Sequence, residues 1–107
     1  MRLAIPPLLL RKQVVALLDS YYDQYQDEDF SKAIALLSEW YHLDIPKVSW
    51  YEYLGGGTLG GQVTEDGIIM LQQPENWKKC RSSIRGKTKW VRTVLHEFAH
   101  YFLWANS

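Results

Sequence analysis

Two histidines and a glutamate between residues 96 and 100 have the spacing of a metal-dependent hydrolytic site. His96, Glu97 and His100 form a His-Glu-x-x-His pattern within a stretch of helical periodicity. Because residues four apart lie one above the other on a helix, the two imidazoles would point at one position about 5 to 6 Å away. Such a position can hold a metal ion, and zinc is the ion that this pattern favours.

Glu97 is the residue that suggests catalysis. It is rotated by about 100° from His96, so it reaches a water on the metal more readily than the metal itself. Zinc bound by two histidines and a third side chain keeps one position open, and the pKa of a water there falls to about 7. Glu97 would accept the proton of that water and transfer it to the leaving amine. The pattern therefore predicts hydrolysis of peptide bonds.

The same pattern also occurs by chance on the solvated face of an ordinary helix. Here the surrounding helix is apolar, and burying polar side chains without partners would cost several kcal/mol. This context favours His96 and His100 as metal ligands and Glu97 as the catalytic base. The apolar positions are Val91, Val94, Leu95, Phe98, Phe102 and Leu103.

Length and composition indicate a single globular domain over residues 1–107. The chain is 47% hydrophobic, and its 12 basic and 12 acidic residues cancel, so the net charge identifies no partner. Cys80 is the only cysteine, which excludes an internal disulfide and fits a reducing compartment. The apolar segment Met1–Leu10 is too short to span a bilayer and lacks a cleavage site. We therefore expect a cytoplasmic protein with no membrane partner.

The order of predicted elements gives an α+β fold. Two amphipathic helices come first, the second capped by Asp29 or Ser31. A strand over residues 47–54 follows, then a glycine-rich run over residues 55–61 that lets another backbone approach closely. A hairpin turns at residues 65–67. We expect a small, mostly antiparallel three-stranded sheet whose free edge can take a peptide as an added strand, followed by the active-site helix.

A basic segment precedes that helix. Residues 74–88 are predicted to form a loop, with Thr88 as the cap of the last helix. Seven of the twelve basic residues lie here or just beyond, and they predict either a solvated loop or contact with a nucleic acid backbone. These residues are Lys78, Lys79, Arg81, Arg85, Lys87, Lys89 and Arg92.

With these elements in order, the chain resembles the zincin metallopeptidases. Within them it is similar to the small ImmA/IrrE-type proteins first and to the SprT-like peptidases second. The resemblance covers most of the chain, and its specific part is His96, Glu97 and His100. It implies a minimal zincin-like fold, Zn²⁺ bound by the two histidines, Glu97 as general base, and a peptide or protein substrate.

The third zinc ligand is the point at which the sequence departs from these families. They supply a glutamate or a histidine from a later helix, whereas this sequence stops at Ser107. The ligand could come from His42, Glu52, Glu65 or another chain, the domain could be truncated, or no stable zinc site forms. His42 alternatively serves as a cation at the end of the second helix.

Two functions follow from this reading of the sequence. The first is a zinc-dependent metallopeptidase that uses a zinc-bound water and a glutamate base. The alternative is a catalytically silent binding or regulatory module of the zincin fold, associated with DNA through the basic segment. Apolar helix surface left uncovered would favour a homo-oligomer.

Overall fold

The computed structural model describes residues 5–51, 61–80 and 83–107, and within them it confirms the α+β class. These ranges contain four helices and three strands. In the same ranges, every helix is too short or too polar to cross a membrane. The elements are α1 (Leu8–Gln24), α2 (Asp27–Trp40), β1 (Val48–Tyr51), β2 (Gly61–Val63), β3 (Ile69–Gln72), α3 (Pro74–Cys80) and α4 (Ser83–Ala105).

The two N-terminal helices are present as predicted, but α2 begins earlier than its predicted caps. Gln26 is at the N-cap position, and the first turn contains Asp27, Glu28 and Asp29. Negative charge near a helix N-terminus is favourable because the unpaired N–H groups there carry partial positive charge. Asp29 also accepts a hydrogen bond of 2.7 Å from the Ser20 hydroxyl of α1. Neither Asp29 nor Ser31 is therefore the cap.

The sheet is mixed rather than mostly antiparallel. Its strand order is β1-β3-β2, with β2 antiparallel and β1 parallel to β3. The hairpin between β2 and β3 forms as predicted, and Gly67 in its turn has a φ of 81°. Strand β3 is the middle strand of the sheet and pairs with β1 on the edge that β2 leaves free. Its residues Ile69 and Leu71 are almost fully buried. The sequence pattern therefore identified the three strands and the antiparallel hairpin correctly, and the expectation of a mostly antiparallel sheet was wrong because β1 is parallel to β3.

The predicted basic loop is largely helical. Pro74–Cys80 forms α3, and α4 begins at Ser83, so Thr88 lies inside the helix instead of capping it. Proline suits the first turn of a helix because it has no N–H to leave unpaired. Trp77 of α3 is buried against the rest of the core, which stabilises a helix too short to form by itself.

The hydrophobic core lies between α1, α2, the sheet and α4. Trp90 is its centre: the ring is 5.8 Å from that of Tyr21 and 5.7 Å from that of Tyr22. Its indole N–H donates to the carbonyl of Gln72 at the end of β3, at 3.0 Å. This contact ties α4 to the sheet. The largest fully buried side chains also include Phe98, Leu18, Ile69, Leu71, Val14 and Val94.

Candidate metal and catalytic site

Helix α4 contacts the sheet through residues spaced seven apart. Trp90, Glu97 and Trp104 lie on one stripe, because seven residues make almost two helical turns. Trp104 donates its indole N–H to the carbonyl of Glu65 in the hairpin turn, at 2.8 Å. Between the two tryptophans, Glu97 lies directly against Gly61 of β2. The carboxylate therefore occupies a position in the interface with the sheet.

Gly61 is the residue that allows this close approach. A Cβ atom at this position would be 2.8 Å from Cγ of Glu97 and 2.9 Å from the carbonyl oxygen of Met70. Both distances are too short for real Cβ contacts, so the space beside Glu97 depends on the missing side chain. The glycine-rich run predicted the close approach of another backbone, and at Gly61 the close neighbours are the Met70 carbonyl of the paired strand and the Glu97 side chain. The rest of that run lies outside the described residues.

His96 and His100 converge as the four-residue spacing predicts. Both side chains are exposed, and their Nε2 atoms are 2.9 Å apart. This separation is a hydrogen-bond distance between the two rings. Two imidazoles bound tetrahedrally to one zinc at Zn–N distances of about 2.0 to 2.1 Å have nitrogens roughly 3.3 Å apart, so a small rotation of the rings would suit two coordination positions of a zinc ion.

The described residues bring no third metal ligand to the pair of His96 and His100. In this part of the chain, no three histidine, cysteine, aspartate or glutamate side chains form a group suited to a metal. His42 follows the C-cap of α2 with a φ of 56°, at the helix end, and lines a different groove with Trp40 and Phe102. Glu65 is exposed in the hairpin turn. Glu52 lies outside the described residues.

Glu97 is a buried carboxyl group beside the histidine pair. It is 6% exposed, and burial raises the pKa of its carboxyl group, with His100 and His96 acting in the opposite direction. Tyr51, the last residue of β1, is close enough to be affected by its charge. Burial, and secondly the charge of Glu97, raises the pKa of Tyr51 to about 12. The phenol therefore stays protonated at neutral pH.

The histidine pair and Glu97 line a groove of about 510 Å³ along β2. The residues that line it are Gly61, Gln62, Val63, Thr64, His96, Glu97, His100 and Trp104. A larger groove of about 740 Å³ lies between α2 and β1, but its lining contains no histidine. The chemistry therefore points to the groove along β2, although it is the smaller of the two.

Sequence reasoning found the histidine pair and Glu97, but it did not identify Tyr51, whose pKa is affected by the charge of Glu97, or Trp104, which lines the same groove. The position of Tyr51 depends on the pairing of β1 with β3, which no local pattern encodes. Trp104 did leave a signal, because it is four residues beyond His100 and therefore continues the same side of α4. Extending the four-residue spacing past the motif would have identified it.

Two of the basic residues are engaged by α1. The ammonium group of Lys78 donates to the Tyr22 carbonyl at 2.8 Å and to the Tyr25 hydroxyl at 2.9 Å. That of Lys87 forms a 3.0 Å ion pair with Asp23. These contacts hold α3 and α4 against α1. Arg81 and the side chain of Arg85 lie outside the described part of the structure.

Comparison of the chain with protein-family models, with curated proteins and with solved structures finds no match. The functional assignment therefore depends on the chemistry and geometry of the groove along β2.

Proposed function

We propose that this protein is a zinc-dependent metallopeptidase whose active site is the groove along β2. The observation that carries the proposal is a buried carboxylate, Glu97, next to two imidazoles whose Nε2 atoms are 2.9 Å apart. A glutamate in a helix–sheet interface lowers the stability of the fold, because its charge loses contact with water, whereas an apolar side chain could be buried there without this cost. A catalytic role for Glu97 explains why a glutamate occupies this position.

The side chains have distinct roles in this mechanism. His96 and His100 would hold a zinc ion, which would supply Lewis acidity and lower the pKa of water. Glu97 accepts a proton from the attacking water and later donates it to the leaving nitrogen. Burial raises the pKa of its carboxyl group, which makes it a better proton acceptor. Tyr51 stays protonated under the combined effect of burial and the charge of Glu97, so it remains a hydrogen-bond donor.

The peptide is held by the free edge of β2. In the described sheet β2 pairs with β3 on one side only, and its other edge borders the groove. An extended peptide can add to such an edge through main-chain hydrogen bonds. The peptide would then pass the histidine pair and Glu97, which line the same groove.

The proposal is tested with a library of quenched fluorescent peptides. We expect the zinc-loaded protein to cut a subset of the library, a chelator such as 1,10-phenanthroline to stop cleavage, and added zinc to restore it. Magnesium should not restore activity, because it prefers oxygen ligands to imidazole. A protein that binds zinc and cuts no peptide would contradict the proposal and would favour the catalytically silent binding module.

A further inference from the structure

Trp104 is an exposed aromatic side chain that borders the proposed active site. It is 42% exposed and lines the same groove as His96, Glu97 and His100. It lies one helical turn beyond His100, on the side of α4 that faces the hairpin. A large apolar surface is thus presented to solvent within about 6 Å of a predicted metal ligand.

Three contacts hold the ring in place. Its indole N–H donates to the Glu65 carbonyl at 2.8 Å, and it stacks on Tyr101 with ring centroids 5.9 Å apart. It also covers the turn, since a Cβ on Gly67 would be 2.5 Å from two of its carbon atoms. A side chain that is already ordered loses little conformational entropy when a ligand packs against it. Trp104 is therefore a preorganised surface.

The position of Trp104 relative to Glu97 sets its distance from the reacting bond. The two residues are seven apart on α4, which corresponds to about 10 Å along the helix axis. They also contact opposite ends of β2, Glu97 at Gly61 and Trp104 at Glu65 just beyond the strand. An extended peptide advances by about 3.3 Å per residue, so it covers this distance in about three residues.

The chemistry around Trp104 favours an apolar side chain. The groove has no lysine or arginine in its described lining, and Val63 and Thr64 are on the β2 side. A cationic wall would favour acidic peptides, whereas an indole face flanked by methyl groups favours aromatic and large aliphatic groups.

We propose that Trp104 is the wall of a subsite that selects peptides with a large apolar side chain two or three residues from the bond that is cut. This proposal rests on the peptidase function proposed above. It assigns to Trp104 a role in substrate choice, with no part in bond breaking.

The test measures peptide binding to the zinc-loaded Glu97→Gln variant, so that no peptide is consumed. Fluorescein-labelled decapeptides of alanine, serine and lysine carry one central Phe, Leu or Ala, and fluorescence anisotropy gives their affinities. We expect the Phe and Leu peptides to bind about tenfold more tightly than the Ala peptide. Adding Trp104→Ala should reduce this preference to less than about threefold, while Trp104→Phe should keep most of it.

Trp40 provides a matched control. It is 39% exposed on α2 and lines a different groove, so Trp40→Ala should leave the preference unchanged. Because the preference is a ratio of two affinities for one variant, a partly unfolded sample does not alter it. Equal affinities for the three peptides, a full preference after Trp104→Ala, or no binding by any peptide would each overturn the proposal.

A second measurement does not depend on the folding of the alanine variant. This measurement follows the indole N–H signal of Trp104 in an NMR spectrum, where it is assigned because it is absent from the spectrum of Trp104→Phe. The signal should shift when the Phe peptide is added and should not shift when the Ala peptide is added. An unchanged signal would refute the subsite. Cleavage without apolar preference would refute the subsite alone, and preferential binding without cleavage would refute the peptidase alone.

Discussion

Replacement of Glu97 by glutamine is expected to lower the rate of peptide hydrolysis by about 100-fold or more while zinc remains bound. Positioned general bases contribute roughly 10² to 10⁴ to a rate, and the amide of glutamine cannot accept the proton. The two side chains have nearly the same shape, so the contact with Gly61 is preserved. Single-turnover cleavage and the zinc content of the same sample check both halves of the prediction.

Glu39 is the matched control for this substitution. It is an exposed glutamate near the end of α2, away from the groove along β2, so Glu39→Gln should leave the cleavage rate within about twofold of the wild type. A Glu97→Gln protein that cuts peptides at the wild-type rate would show that Glu97 is not the base. Loss of zinc from that variant would instead make Glu97 a ligand.

Replacement of Gly61 by alanine should destabilise the fold and reduce cleavage together. The new methyl group would be 2.8 Å from Cγ of Glu97, 2.9 Å from the Met70 carbonyl oxygen and 3.0 Å from Cδ2 of Leu71. The carbonyl oxygen belongs to the paired strand and cannot move freely, so Glu97 or β2 must shift. Overpacking of this kind costs about 1 to 3 kcal/mol, which urea unfolding would measure.

Gly86 on α4 offers the comparison. A Cβ there would be 3.1 Å from the Tyr22 hydroxyl and 3.5 Å from the Trp77 ring, so its contacts are looser. Alanine also gains about 1 kcal/mol of helix propensity over glycine, which offsets the tight contact. We expect Gly86→Ala to be close to neutral in unfolding and in cleavage. If the two alanine variants behave alike, the close contact of Gly61 with Glu97 has no functional meaning.

The helices and the hairpin could be predicted because their signals are local. The apolar residues of α1, α2 and α4 recur at helical spacing, and the turn at Glu65-Asp66-Gly67 contains the glycine that its φ of 81° requires. Helix α3 could not be predicted because its seven residues depend on tertiary contacts. Trp77 is buried, and Lys78 bonds to α1.

The parallel pairing of β1 with β3 is the other part of the fold that was mispredicted. Alternation identifies which face of a strand is apolar, but it carries no information about which edge of β3 receives β1 or in which direction. Ile69 and Leu71 are almost fully buried because β3 is the middle strand, and this burial is seen only in the folded chain. Prediction of a parallel pair would need knowledge of the core.

The candidate site, like the fold, could be predicted from the sequence only in part. Spacing alone identified His96, Glu97 and His100, because two imidazoles four residues apart must share a helix face. The contribution of Gly61 could be seen only once β2 had been placed against α4, and that of Tyr51 only once β1 had been paired with β3. Their distances to Glu97 depend on the sheet, and the sequence separation gives no indication of them.

The measurement that tests the central claim most directly is a zinc titration against a chromophoric zinc chelator. The wild-type protein should take up roughly one zinc per chain, as expected for a single site with two histidine ligands. The double variant His96→Ala, His100→Ala should lose this binding. His42→Ala should retain it, because His42 lines a separate groove. Equal zinc uptake by the wild-type protein and the double variant would contradict the assignment of a metal site on α4.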